Sequence, residues 1–197
     1  MKQKSIRKLQ KNKTWEWIKM KYIKIPMERI AVVIGHNGET KRDLEDKSGL
    51  RLEIDSKLGE ITIDDHNVDD PLQVLKLQSI ILAIGRGFSP EHAMKLLNDN
   101  TDLFIFDIHD YASKKESHVR RLKSRIIGTK GKTKHVIEEL TDSSISVYGH
   151  TVSIITDFVS MDIAKRAIDK LLSGSKHATV YRSVESNMRQ LRLDGKL

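Results

Sequence analysis

The 197-residue chain carries 35 Lys and Arg against 27 Asp and Glu, a formal net charge of +8, and contains no cysteine. The missing thiols exclude disulfides, thiolate zinc sites and cysteine nucleophiles together, and the positive balance favours a polyanionic partner. Residues 1–13 have no apolar h-region and no apolar run is long enough to cross a bilayer, so a cytoplasmic protein without membrane contact is expected.

Residues 1–26 hold nine Lys and Arg against one acid, and residues 1–17 read as a basic N-terminal extension. Trp15 and Trp17 there are either core or base-stacking side chains. The first domain is expected over residues 18–100. A strand around Met20 to Ile25 precedes Pro26. Met27, Ile30, Ala31 and Ile34 then recur at helical spacing and predict one face of a helix ending at Gly35. The tetrapeptide Gly35-His36-Asn37-Gly38 separates it from a second helix, Glu39 to about Lys47, which Gly49 is placed to terminate. Arg51 to Asp55 and Glu60 to Asp64 alternate cleanly and predict a hairpin. The acidic cluster Asp64, Asp65, His66, Asp69 and Asp70 contains hard-cation ligand types, but its place between hairpin and helix favours turns and caps. A closing helix runs from Pro71 to about Ala83, and Ser89-Pro90 opens a short connecting helix to about Asn98.

The same order returns 93 residues later, in a second domain expected over residues 101–197. Leu103 to Ile108 predicts a strand. Val119, Leu122 and Ile126 mark a helix, and Gly128-Thr129-Lys130-Gly131 follows it. Val136, Ile137 and Leu140 mark the next helix. Ser144 to Tyr148 and Thr151 to Ile154 form a hairpin across Gly149-His150. Met161, Ala164, Ile168 and Leu171 mark a closing helix, and a further helix is expected after Gly174. The fold class is therefore α+β, with the order β-α-α-β-β-α twice. That order resembles two tandem KH domains of the eukaryotic type (type I), and the resemblance implies a three-stranded antiparallel sheet backed by helices in each.

Two helices meeting at a G-x-x-G turn aim backbone N–H groups and a helix N-terminus at one point, which suits a phosphate of single-stranded nucleic acid. Lys114 to Lys134 contains nine basic residues and Glu116 as its one acid, and this run enters the second loop directly. The expected RNA-binding set there is Gly128, Thr129, Lys130 and Gly131, with Lys132, Lys134, Arg120, Arg121 and Arg125 on phosphates and Ile127 and Ile145 lining an apolar groove for bases. Gly35, His36, Asn37, Gly38 and Lys41 form the equivalent set in the first domain. Its acidic surroundings and uncharged loop weaken the electrostatic attraction that dominates affinity.

Enzymatic readings fare poorly. Gly131-Lys132-Thr133 ends like a phosphate-binding P-loop, yet Ile126 occupies the position of the required first glycine. His109-Asp110 has no nucleophile near it and reads as a turn, and the eight histidines show no zinc-protease spacing. No catalysis, cofactor or metal is expected.

Three stretches carry a family resemblance: Ala83-Ile84-Gly85-Arg86-Gly87-Phe88-Ser89-Pro90-Glu91-His92-Ala93, Arg125 to Lys134, and Gly174-Ser175-Lys176-His177-Ala178-Thr179-Val180-Tyr181. The chain resembles the archaeal Dim2/Pno1-like KH-domain ribosome-assembly proteins, related to the Krr1 group, from about Tyr22 to Arg192. Lys41 and Lys134, where most KH domains have an apolar residue, strengthen the likeness. It implies RNA binding by the second domain near the 3′ end of small-subunit rRNA during ribosome assembly. It also implies two protein partners: the PIN-domain endonuclease that matures that end, and the α subunit of translation initiation factor 2. Eukaryotic relatives have a first domain without a working loop, whereas this chain keeps Gly35 and Gly38. The alternative function is a KH-type mRNA-binding or translation-initiation regulator.

Overall fold

A computed structural model describes residues 22–64, 70–112 and 115–195. The basic extension with Trp15 and Trp17, and residues 65–69 of the acidic cluster, lie outside the described residues.

In the first domain, β1 (Tyr22–Lys24), β2 (Arg51–Asp55) and β3 (Glu60–Asp64) form an antiparallel sheet in the order β1-β3-β2. Leu52 pairs with Ile63, and Leu52 and Ile61 are buried while Arg51, Glu53 and Asp55 are exposed, as period-two alternation requires. Asp55 closes the hairpin turn, its Oδ1 accepting from the Lys57 and Leu58 amides at 2.8 and 3.0 Å. Helices α1 (Met27–Ile34) and α2 (Glu39–Ser48) precede the hairpin, and Gly49 ends α2 in the left-handed region as its position suggested. The buried face of α1 is Ile30 and Val33, while Met27 and Ala31 are exposed. With eight residues the helix has room for one short apolar stripe, and Val33, outside the predicted set, takes a place in it.

Helix α3 (Pro71–Gly85) is continuous, yet the two compact units divide inside it, between Gln78 and Ser79. Residues 86–100, grouped with the first domain from sequence, thus belong to the second unit. The cause is local. The Arg86 carbonyl accepts from Ser146 Oγ at 2.8 Å, and Gly87 lies so close to the sheet that a Cβ there would meet Ser146 Oγ at 2.8 Å and Tyr148 Cβ at 2.9 Å. Ser89 then caps α4 (Pro90–Ala93) with Pro90 at its first position, and a 3₁₀ turn follows over Met94–Leu97.

The second sheet repeats the first, with β4 (Thr101–Asp107), β5 (Ser144–Tyr148) and β6 (Thr151–Asp157) antiparallel in the order β4-β6-β5. One face packs on α5 (Glu116–Ile127), α6 (Lys132–Thr141) and α7 (Phe158–Leu172), and α8 (His177–Leu193) packs in turn against α6 and α7. They share a core of Phe106, Val119, Leu122, Ile126, Ile137, Ile154 and their neighbours. Tyr111, beyond β4, ties this layer together by donating to Asp169 Oδ1 of α7 at 2.7 Å, and burial with that bond pushes its hydroxyl pKa up.

One tie appears in both domains. Glu45 Oε1 accepts from the Leu52 amide at 2.8 Å and pairs with Lys41 at 3.8 Å. Glu138 Oε1 accepts from the Ile145 amide at 2.7 Å and pairs with Lys134 at 2.8 Å. Each carboxylate thereby fastens the helix after the glycine loop to the start of the next strand. Glu138→Ala leaves the amide of buried Ile145 without its partner and removes the Lys134 ion pair, so denaturant unfolding is expected to show a loss of about 1–3 kcal/mol. A midpoint equal to that of the unmodified chain would mean the tie contributes nothing.

Candidate nucleic-acid interface

The two glycine loops have one geometry. Gly35, Asn37 and Gly38 take φ of 74°, 49° and 77°, and Gly128, Lys130 and Gly131 take 73°, 53° and 80°. The first glycine of each loop is obligatory for two reasons, its positive φ and its neighbour. A Cβ on Gly35 would come within 2.7 Å of the Thr40 amide nitrogen, and on Gly128 within 2.7 Å of that of Thr133. The second glycine faces open space, with nothing within 4 Å of the position a Cβ would take. A ligand backbone has unobstructed approach there.

Between the glycines the domains differ. Asn37 is a residue type that tolerates the left-handed region, whereas Lys130 is held there at a cost of about 1 kcal/mol. Thr129, Lys130 and Lys132 are exposed, as are Arg120 and Arg121 on α5. Among the described residues no ion pair engages these four cations. At the position of Lys132 the first domain has exposed Glu39, so the residue following the loop is reversed in charge. His36 and Asn37 are exposed too, and Asn37 O accepts from the Arg42 guanidinium at 2.9 Å. Arg42 therefore gives the first loop a fixed positive charge that the tetrapeptide itself lacks. A basic residue one helical turn after the second glycine was the available signal.

Four expected site residues have other duties. Arg125 does not face outward. Its Nε donates to Leu171 O at 3.0 Å and its Nη2 to Ser175 O, so the guanidinium binds the C-terminal end of α7 and the segment that follows it. Ile145 is only 3% exposed, inside the core opposite Ile154, and offers no surface to a base. Ile127, at 37% exposed, is the apolar residue beside the loop that does. Lys134 and Lys41 are engaged by Glu138 and Glu45 in the helix-to-strand ties, which neutralises them in place.

Behind the second loop stands α8, whose role was not readable from pattern. Val180, Val184 and Met188 seat it in the core. Its first turn then grips both helices of the loop: His177 Nε2 donates to Arg125 O at 3.0 Å, and Tyr181 OH donates to Thr133 Oγ1 at 3.1 Å. Among the described residues the first domain has no counterpart to this helix.

Two β-α-α-β-β-α domains, each with a G-x-x-G turn between its first two helices, define a tandem type I KH protein. Residues 103–189 match the eukaryotic-type KH domain (KH-domain type I), in the form of a Pno1 second domain, and residues 20–72 match a KH domain. A KH domain-containing protein of Methanocaldococcus jannaschii is 44% identical over 86% of this chain and 74% of its own length. The pre-rRNA-processing protein PNO1 of Eremothecium gossypii is 30% identical over 73% of this chain, which spans 55% of that longer protein. The solved a/eIF2alpha-aDim2p-rRNA complex from Pyrococcus horikoshii contains a chain 44% identical to this one, with a TM-score of 0.80. The match covers 89% of this chain and 99% of that one. The chain belongs to the Dim2/Pno1 family of KH-domain proteins.

If α8 braces the loop, His177→Ala should speed amide hydrogen exchange at Gly128 to Gly131 by about tenfold, the effect of about 1.4 kcal/mol of local opening. Tyr181→Phe should act in the same direction. Exchange at Gly35 to Gly38 serves as the internal reference. Equal rates at the second loop in the variant and the parent chain would refute the bracing role.

Proposed function

We propose that this chain is a non-catalytic single-stranded RNA-binding protein of ribosome assembly that grips the 3′ region of small-subunit rRNA through its second KH domain. The observation that carries this reading is the set of exposed cations, unpaired among the described residues, Lys130 and Lys132 above all, set beside the open face of Gly131. Backbone phosphates supply most of the affinity in such a site, and bases lie along the adjacent apolar surface near Ile127. The rRNA in the complex of the Pyrococcus horikoshii relative supports the ligand class, and its a/eIF2alpha supports the α subunit of translation initiation factor 2 as a partner. The pre-rRNA-processing name of the fungal relative supports a place in rRNA maturation. The PIN-domain endonuclease acting at that 3′ end is proposed as a neighbour on the family likeness alone. Among the described residues no helix is long and apolar enough to cross a membrane, and the reading places the work in the cytoplasm.

Thr129→Asp with Lys130→Asp sets carboxylates against phosphate and should weaken single-stranded RNA binding by at least about tenfold. The matching change at His36 and Asn37 should cost less, since Glu39 already opposes phosphate there. A larger loss from the first-loop variant would invert the proposed roles. Lys130→Asn separates shape from charge: it suits the left-handed turn and should leave stability unchanged or higher while still weakening RNA binding. The logarithm of affinity should fall against log salt with a slope of about −0.7 per phosphate neutralised. A flat salt response would count against the electrostatic grip. Crosslinking in cells should recover mainly small-subunit rRNA 3′-end reads, and a predominance of mRNA reads would favour the regulator instead.

A further inference from the structure

Away from the glycine loops, the second domain gathers three donor side chains that no sequence spacing announces. Asp107 ends β4, His109 sits in the 3₁₀ turn Ile108–Asp110, and His150 sits in the turn joining β5 to β6. Sheet pairing brings them together. Asp107 lies opposite Thr151 in the β4–β6 register, and the Ile108 amide donates to the His150 carbonyl at 2.8 Å. The carbonyl of Tyr148 accepts from Thr151 Oγ1 at 2.9 Å, which steadies the hairpin turn, and Asp107 Oδ1 caps the 3₁₀ turn by accepting from the His109 amide at 2.9 Å.

From these segments, one ligand atom of each residue lies within 4.8 Å of the other two. His109 Nδ1 is 3.0 Å from Asp107 Oδ1, and His150 Nε2 is 4.0 Å from Asp107 Oδ2. The two imidazole rings lie 4.8 Å apart, tilted by 38°. A tetrahedral ion with bonds of about 2.0–2.1 Å holds its donors about 3.3 Å apart. The two carboxylate–imidazole spacings, which run to different oxygens of Asp107, lie on either side of that value, and the side chains are 42–52% exposed, which leaves them room to rotate and close the set.

We propose that Asp107, His109 and His150 form a binding site for one divalent transition-metal ion of the zinc, nickel and cobalt class. Two imidazoles with one carboxylate suit these borderline ions, whereas magnesium and calcium take mainly oxygen donors. Three protein ligands at an exposed turn leave the remaining coordination position to water or to an anionic ligand atom. The surrounding charges are mixed. Arg86 interacts electrostatically with Asp107 and opposes a cation, while exposed Asp110 at the end of the same turn favours one. The site is therefore expected to bind with the modest affinity of a three-ligand surface centre rather than to hold the fold together.

The test is calorimetric titration of the full chain, free of any affinity tag, with zinc chloride and separately with nickel chloride. One ion per chain is expected. His150→Ala and His109→Ala should each weaken binding by at least about tenfold, whereas His135→Ala, an exposed histidine outside the cluster, should not. Asp107→Asn keeps a capping oxygen, so its loss of binding cannot be ascribed to an unfolded turn; thermal unfolding of each variant checks the fold. Nickel should also broaden amide resonances of residues 107–110 and 149–151 first. Failure of the unmodified chain to bind a single equivalent, or binding that survives both histidine replacements, would overturn the proposal.

Discussion

Each KH domain depends on the close approach of a threonine to the first glycine of its loop. Thr40 against Gly35 and Thr133 against Gly128 bring the start of the second helix onto the end of the first. No residue with a Cβ fits there in the left-handed conformation. The contact sets the crossing of the two helices, and that crossing presents the second glycine, bare and outward, at the tip. The glutamate tie one turn further along then fastens the same helix to the strand that follows. The loop is thus the visible end of a helix–turn–helix–strand unit held at both its glycine and its carboxylate.

The two copies share this frame and diverge in what surrounds it. In the second domain, α8 closes over the back of the loop, bonding one helix through His177 and the other through Tyr181, while Arg125 bonds the segment that leads into α8. The strained backbone of Lys130 is tolerated in a turn braced from behind. In the first domain, Arg42 of α2 bonds the Asn37 carbonyl of the loop, and Glu39 stands where the second has Lys132. One loop is braced and cationic around its opening; the other is bonded by the arginine of its own following helix and faced by an acid.

The cationic run that draws attention in the sequence turns out to be divided labour. Lys130, Lys132, Arg120 and Arg121 are exposed and, among the described residues, unpaired, whereas Arg125 and Lys134 lie in the same run and serve the fold. Helical periodicity separates buried from exposed apolar residues well, but a long cation can reach carbonyls at the end of another helix from a half-buried position. Ile145 illustrates the converse: it alternates correctly in its strand, and the face it occupies is the core.

The two-fold β-α-α-β-β-α order, both hairpins, the caps at Ser89 and Gly49 and the position of both glycine loops were legible in the sequence, because each follows from local periodicity, turn chemistry or the repeat itself. The β-strand and helix assignments of the second domain needed no tertiary knowledge, since its apolar spacing is unambiguous from Val119 through Leu171. Only the tertiary structure decided the rest. Residues 86–100 belong with the second sheet because Gly87 lets the chain lie against Ser146 and Tyr148, contacts about 60 residues away in sequence. The role of α8, the duties of Arg125 and Lys134, and the meeting of Asp107, His109 and His150 likewise depend on which distant segments become neighbours. Local pattern encodes which face of an element is apolar; it does not encode which partner's carbonyl, amide or imidazole will stand opposite its polar ends.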